Sequence, residues 1–136
     1  MNYQEALKQA KGKAAATGEI IVQAGATPVT FTDVMWHDMG PENGALMIGT
    51  GDTNFHVALG YPAKFLIEPH SATYPDDFPD PFLVWEYYDR KGKVYTAQKG
   101  EITASFSNEF KKIDGKFSFA TGDGTRVYGE FHLKRD

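Results

Sequence analysis

Histidine is the side chain most often used for acid–base chemistry near neutral pH, and this 136-residue sequence contains four. They are His37, His56, His70 and His132. None lies in a His-x-His or His-Glu-x-x-His arrangement, so the spacing predicts no zinc centre. His56 and His132 occupy the solvent-facing positions of alternating segments, and we expect surface histidines there. His37 and His70 are therefore the candidate general bases.

Among the carboxylates, Glu86 is the best candidate for acid–base catalysis, because it lies in the aromatic segment 82–88. A small hydrolase or isomerase in a barrel mouth would use His37 or His70 together with Glu86 or Asp38. The sequence itself names no partner for Glu86. A Gly-x-Ser-x-Gly nucleophile elbow and a phosphate-binding glycine loop are both missing.

The proline-rich acidic segment 68–81 is the candidate metal site. Four of its 14 residues are proline, which predicts a long, stiff loop without ladder hydrogen bonds of its own. Asp76, Asp77 and Asp80 offer the hard oxygen ligands that Ca²⁺ prefers. Their spacing matches no EF-hand loop, so a solvated loop facing the basic C-terminal half is the simpler interpretation. We expect no cofactor and no metal, with Ca²⁺ as the weak alternative.

Aromatic side chains around this loop indicate a binding surface. Tyr61, Tyr74 and Phe78 lie in predicted loops beside prolines, and we expect that not all of them enter the core. The predicted binding residues are Trp36, His37, Asp38, Tyr61, His70, Tyr74 and Phe78. Exposed aromatics beside carboxylates suit a protein, carbohydrate or small-molecule ligand. The leading hypothesis is a non-enzymatic binding or interaction module. The alternatives are the hydrolase or isomerase and a carrier of a small apolar ligand.

Length and composition limit which of these hypotheses are possible. The chain is predicted to form a single domain over residues 1–136, long enough for its own core. The absence of cysteine excludes disulfides and thiolate sites. No apolar run has the length of a membrane span. No signal-peptide pattern opens the sequence, so we expect a cytoplasmic protein by default, and a periplasmic or secreted one if a signal peptide was removed.

Charge is distributed unevenly along the chain. Residues 1–89 contain 4 Lys and Arg against 12 Asp and Glu, a net charge of −8, whereas residues 90–136 contain 10 against 6, a net charge of +4. Neighbouring strands with complementary charges are the simpler interpretation, and head-to-tail self-association into a homo-oligomer is the alternative. With no basic cluster and a pI of 5.5, the chain is not expected to bind nucleic acid.

The hydrophobic pattern predicts a mainly β domain. One amphipathic helix is expected over residues 2–16, and about nine or ten antiparallel strands follow. In residues 29–36 the apolar positions change parity, which predicts a bulge near Asp33. Because such strands must bury one face, we expect an antiparallel β-sandwich or a flattened β-barrel.

A repeated glycine pattern marks the C-terminal meander, predicted over residues 82–134. Gly100, Gly115 and Gly129 each precede a charged residue and then alternating apolar positions. At Gly129, which takes an inner-face position, we expect either room for a neighbouring aromatic ring or a bend in the strand. Residues 100–133 resemble the C-terminal strands of uncharacterised bacterial β-sandwich proteins, known as domains of unknown function. The resemblance implies the fold and no catalytic residue. Many such proteins look like exported lipoproteins, but this chain lacks their lipobox cysteine.

Overall fold

The computed structural model describes residues 4, 5, 8, 16–39, 43–52, 55–63, 71–78 and 83–136. Within them lie eleven strands: β1 (Thr17–Gln23), β2 (Val29–Phe31), β3 (Asp33–Asp38), β4 (Ala45–Thr50), β5 (His56–Tyr61), β6 (Ser71–Tyr74), β7 (Glu86–Tyr88), β8 (Val94–Thr96), β9 (Lys99–Ser107), β10 (Lys112–Ala120) and β11 (Arg126–Lys134). The predicted helix over residues 2–16 lies almost entirely outside the described residues. No described helix is long and apolar enough to cross a membrane.

The strands form two antiparallel sheets. One has six strands in the order β2-β1-β11-β10-β9-β6, and the other has five in the order β3-β4-β5-β7-β8. The mainly β prediction is confirmed, and the architecture is sandwich-like. The flattened-barrel alternative is wrong, because in the described residues each sheet ends in edge strands and the two sheets do not close on each other. The described ranges contain eleven strands, where about nine or ten were expected.

The change of parity in residues 29–36 marks a crossing between sheets. Phe31 in β2 is buried from the six-stranded sheet, whereas Val34 and Trp36 in β3 are buried from the five-stranded sheet. Only Thr32 separates the two strands. The predicted bulge near Asp33 is therefore wrong. The alternating positions that face inward change because the chain leaves one sheet and enters the other.

Part of the predicted proline-rich loop is a strand. Residues Ser71–Tyr74 form β6 and pair with β9, with Ser71 opposite Thr103 and Tyr74 opposite Gly100. The expectation of a loop without ladder bonding is wrong for these four residues. They contain no proline and lie at the edge of the six-stranded sheet, where a following proline removes no ladder donor.

Both faces of the five-stranded sheet are buried along its centre. Five of the six residues of β4 and all six residues of β5 are buried, as predicted for the apolar run 45–49. The inner face packs on the six-stranded sheet, where Phe31 contacts Phe55 with ring centroids 4.5 Å apart. Only every second residue of a strand faces the other sheet. Because nearly all residues of β4 and β5 are buried, the opposite face of these two strands is also removed from solvent.

The glycine repeat sets how β10 and β11 pack. In this pair Phe117 lies opposite Gly129 and Gly115 lies opposite Phe131, so two copies of the pattern are reciprocal partners. A Cβ atom added to Gly115 would meet the Phe131 ring at 2.5 Å. A Cβ atom on Gly129 would lie 3.0 Å from the Phe117 ring and 1.9 Å from the backbone oxygen of Ile21. The expected room for an aromatic ring at Gly129 is confirmed.

We predict that Gly129→Ala destabilises the protein by at least about 2 kcal/mol, as overpacking of a tight core does. The added methyl group would push β1 away from β11 and displace Phe117. Urea denaturation followed by tryptophan fluorescence measures the free energy of unfolding. Gly25→Ala is the matched control, since no atom lies within 4 Å of its added Cβ. Equal stability of the two variants would contradict this role of Gly129.

Candidate functional site

The aromatic residues predicted to form a binding surface are mostly buried. Trp36, Tyr61 and Tyr74 each belong to the core, and Phe78 is half-buried. The predicted loop position of the two tyrosines is wrong, because Tyr61 ends β5 and Tyr74 ends β6. As expected, the three aromatics do not all enter the core, since Phe78 only packs against it. His37 is half-buried and Asp38 is exposed, whereas His70 lies outside the described residues.

Tyr74 and Phe78 join an aromatic cluster around Trp85. The rings of Tyr74 and Trp85 stack with centroids 4.5 Å apart, and Phe78 meets both rings edge-on. The Tyr74 hydroxyl also accepts a hydrogen bond from the backbone N–H of Trp85 at 3.4 Å. Burial raises the pKa of Tyr74. These contacts are those of a core cluster that closes one end of the sandwich.

Trp36 and Tyr61 lie at the opposite end. Tyr74 pairs with Gly100 at the start of β9, and Phe106, the β9 residue next to Tyr61, is six positions further along, or about 20 Å. The predicted binding residues therefore fall into two groups that do not meet. We call the group of Trp36, Asp38, Tyr61, Phe106, Phe110 and Arg135 the Trp36 end.

Hydrogen bonding and burial fix the aromatic pair of the Trp36 end. The Trp36 indole N–H donates to the Tyr61 hydroxyl oxygen at 3.0 Å. Burial raises the pKa of Tyr61 to about 12, and the hydrogen bond from Trp36 only partly opposes this effect. Phe106 packs edge-on against Tyr61 at 5.6 Å and reaches across from the six-stranded sheet. Trp36 and Tyr61 therefore form an uncharged, well-packed support for the more exposed groups of the Trp36 end.

Arg135 covers the pair of Trp36 and Tyr61. Its guanidinium carbon lies 3.7 Å from the centroid of the Trp36 ring, a cation–π contact. One guanidinium nitrogen lies 3.1 Å from a carboxylate oxygen of Asp38, and it donates to the backbone oxygen of Phe110 at 3.4 Å. The ion pair joins the basic C-terminal half to the acidic first half, between the ends of β3 and β11 in different sheets rather than between neighbouring strands. Sequence reasoning identified Asp38 but missed its partner.

The loop between β9 and β10 presents Phe110 above Arg135. Asn108, Glu109 and Phe110 have φ values of +52°, +57° and +66°, so three successive residues that are not glycine adopt the left-handed region. Phe110 is 44% exposed, and its ring lies 5.1 Å from that of Phe106. An aromatic residue in a hairpin loop that lacks glycine was the available sequence signal, and our sequence analysis did not use it.

A second group of interest lies in the five-stranded sheet, where His56 meets Glu86. The His56 Nε2 and a Glu86 carboxylate oxygen are 3.5 Å apart, and the two residues are 1% and 8% exposed. His56 also stacks on Tyr88 at 4.4 Å. The expectation of a surface histidine at position 56 is wrong, because both faces of β5 are buried. Glu86 thus has the partner that the sequence could not name.

His37 is not that partner. Three strand-to-strand steps separate β3 from β7 in the sheet, which places the backbones of His37 and Glu86 about 14 Å apart. Proton transfer needs a contact of about 3 Å or one bridging water. The hydrolase hypothesis therefore loses its pairing of His37 with Glu86. A pairing of Glu86 with His70 falls outside the described residues.

The acidic residues of the predicted calcium site have local structural roles where they are described. A carboxylate oxygen of Asp77 accepts a hydrogen bond from the backbone N–H of Thr73 at 2.7 Å, and Asp76 is exposed. Asp80 lies outside the described residues. In the described part of the chain, no group of three or more His, Asp or Glu side chains is arranged to hold a metal ion.

The solvent-facing side of the six-stranded sheet carries His132, as its parity predicts. Its Nδ1 lies 2.7 Å from a carboxylate oxygen of Asp114 on the neighbouring strand. Its Nε2 lies 3.6 Å from a carboxylate oxygen of Glu130. The hydrogen bond to Asp114 raises the pKa of His132, with further contributions from Glu130. This cluster can bind a proton more tightly than an isolated histidine.

No protein-family model, no curated protein and no solved structure matches this chain. The resemblance of residues 100–133 to uncharacterised bacterial β-sandwich proteins therefore stays a prediction. The function must be argued from the described side chains.

We predict that His56 and Glu86 are energetically coupled. Replacing only one of them, by His56→Phe or Glu86→Leu, leaves a buried polar group without this partner and costs about 2–4 kcal/mol of unfolding free energy. The double variant should be more stable than the sum of the single losses by about 1 kcal/mol or more. Combining His56→Phe with Glu101→Leu, on the other sheet, is the control and should be additive. Additivity of the His56 and Glu86 variants would refute the coupling.

We also predict a pH-dependent contribution from His132. Because its folded-state pKa is raised, its stabilising effect is complete below the ordinary histidine value and is lost as the pH rises through the folded-state pKa. His132→Gln should lower the unfolding free energy more at about pH 5.5 than at about pH 8.5. An NMR titration should place the His132 midpoint above that of histidine in the urea-unfolded chain, and Asp114→Asn should lower it. An unchanged midpoint in Asp114→Asn would contradict this assignment.

Proposed function

We propose that this chain is a non-catalytic binding module that recognises a protein partner with its Trp36 end. The observation that carries the proposal is the left-handed run Asn108–Phe110, in which Phe110 is exposed. This residue lies next to the Arg135 guanidinium and the buried pair of Trp36 and Tyr61, which support it. Phe110 and Arg135 are of residue types enriched at protein interfaces, with Phe110 outermost and the buried Trp36 supporting Arg135.

The left-handed run is costly for the isolated protein. Left-handed backbone costs roughly 1–2 kcal/mol per residue other than glycine, and asparagine tolerates it best. Glu109 and Phe110 have no such tolerance, yet neither position is occupied by glycine. Backbone strain of this kind is concentrated at binding and active sites. The strain supports a role for the loop beyond connecting β9 to β10.

The electrostatics of the Trp36 end suit coverage by another protein. Arg135 already has a carboxylate partner in Asp38 and an aromatic face in Trp36, so its charge does not need a new counter-ion when solvent leaves. An unpaired charge would oppose burial at an interface. Phe110 adds apolar area, and Asp38 remains exposed at the rim. This arrangement follows the usual pattern of an apolar centre with a polar border.

Part of the predicted binding surface is retained, but its centre is now the Trp36 end rather than the segment 68–81. Trp36, Asp38 and Tyr61 remain, whereas Tyr74 supports the opposite end of the sandwich. The burial of His56 and Glu86 argues against an open acid–base site at that pair. The inner phenylalanines pack against neighbouring rings, as Phe119 does against Trp85, which favours a filled core over an apolar-ligand carrier.

We predict that Phe110→Ala abolishes partner capture while the fold is retained. Immobilised wild-type chain and the variant are incubated with lysate of the source organism, and retained proteins are compared by quantitative mass spectrometry. The highest-ranking protein that depends on Phe110 is then purified and titrated by calorimetry. Its Kd should rise at least tenfold, about 1.4 kcal/mol, because the main apolar contact is lost.

Val94→Ala is the matched control, since Val94 is also 44% exposed but lies on β8 of the five-stranded sheet. It should retain the same proteins as the wild type. Identical capture by Phe110→Ala and wild type would refute the proposal. So would a partner that proves to be a second copy of the chain, detected by sedimentation velocity.

A further inference from the structure

The solvent-facing side of the six-stranded sheet carries a continuous polar row. Thr73, Glu101, Ser118 and Tyr128 are direct cross-strand neighbours on β6, β9, β10 and β11. Ser118 is the smallest side chain in the centre of this row, between the longer Glu101 and Tyr128. A short residue between long ones leaves a depression, because side chains stand roughly perpendicular to a sheet.

Two adjoining grooves occupy this depression. One, of about 310 Å³, is lined by residues that include Glu101, Thr103, Lys116, Ser118 and Tyr128. The other, of about 280 Å³, shares Glu101 and Ser118 with the first. Because they share these two residues, the grooves form one furrow across four strands. Each volume is close to the lower end of the range of small-ligand sites, about 300–1,000 Å³.

The furrow has a positive local charge in a chain with a net charge of −4. Lys99, Lys116 and Arg126 line it, against the single carboxylate of Glu101. In the described part of the chain, no ion pair engages any of these three cations. Their charges are therefore available to an anionic ligand at the surface.

Tyr128 supplies the apolar contact of the furrow. It is 45% exposed, the largest exposed fraction among the large hydrophobic side chains of the described residues. A tyrosine ring beside hydroxyl and charged groups gives a flat apolar face with polar atoms around it. A sugar ring has the matching shape, with apolar C–H groups on its faces and hydroxyl groups at its edge.

From this arrangement we propose that the furrow binds an acidic oligosaccharide, one built of sugars that carry carboxylates. Tyr128 stacks on a sugar ring, Lys116 and Arg126 contact the sugar carboxylates, and Ser118 and Glu101 bind hydroxyl groups. Single-stranded nucleic acid is the less favoured polyanion, because such sites stack successive bases on several aromatic rings. Of the aromatic residues that line this furrow, Phe117 and Phe119 are buried and Tyr128 alone is exposed. The site is independent of the Trp36 end, since it lies on the outer face of the sheet.

The test is a titration of the ¹⁵N-labelled full chain with tetragalacturonate, followed by amide chemical shifts. Binding should perturb the amides of Glu101, Thr103, Ser118 and Tyr128. Tyr128→Ala should raise the Kd at least about tenfold through loss of stacking. Lys116→Gln should raise it several-fold and weaken its dependence on salt, because one charge contact is removed.

Two controls and two competing ligands make the result decisive. Val94→Ala and Lys91→Gln, each at an exposed residue that does not line the furrow, should leave the Kd unchanged. Neutral cellotetraose should bind at least about tenfold more weakly than tetragalacturonate. Shifts centred elsewhere, equal binding of cellotetraose, tighter binding of an oligothymidylate, or no binding of tetragalacturonate would each overturn the proposal.

Discussion

The reciprocal contact between glycine and phenylalanine in β10 and β11 is the constraint on which the sandwich depends. Gly115 admits the ring of Phe131, and Gly129 lies opposite Phe117, so the two strands fit in one register only. A slip by one residue would turn every inner side chain toward solvent. Because β11 also pairs with β1, the position of β11 determines that of β1. β1 in turn pairs with β2, from which the chain crosses to the second sheet.

Both ends of the sandwich are closed by aromatic side chains, and among the described residues the Trp36 end exposes one of them, Phe110. At the end around Trp85, stacked rings complete the core. At the Trp36 end, a buried tryptophan and tyrosine support Arg135, and the strained loop adds Phe110. Phe110 stays 44% exposed there, at the end of the left-handed run, while its ring contacts Phe106 at 5.1 Å.

The features that could be predicted from sequence are those that depend on near neighbours along the chain. Alternation predicted most strands and the meander, and the inner position of Gly129 predicted its aromatic neighbour. Predictions about exposure failed where a strand is buried on both faces. His56 alternates with apolar residues like a surface residue, yet it is buried with Glu86. The parity change near Asp33 resembled a bulge because a crossing between sheets alters the same pattern.

By itself the sequence determined the β class, the strand periodicity and the meander with its glycine positions, because these follow from steric and hydrophobic rules that act within a few residues. Only the tertiary structure decided which distant side chains meet. Arg135 pairs with Asp38 across 97 residues, and Tyr61 accepts the hydrogen bond of Trp36. Such contacts depend on strand order and on the stacking of two sheets, which no local pattern specifies. The Trp36 end results from that stacking, and the furrow results from the strand order of one sheet.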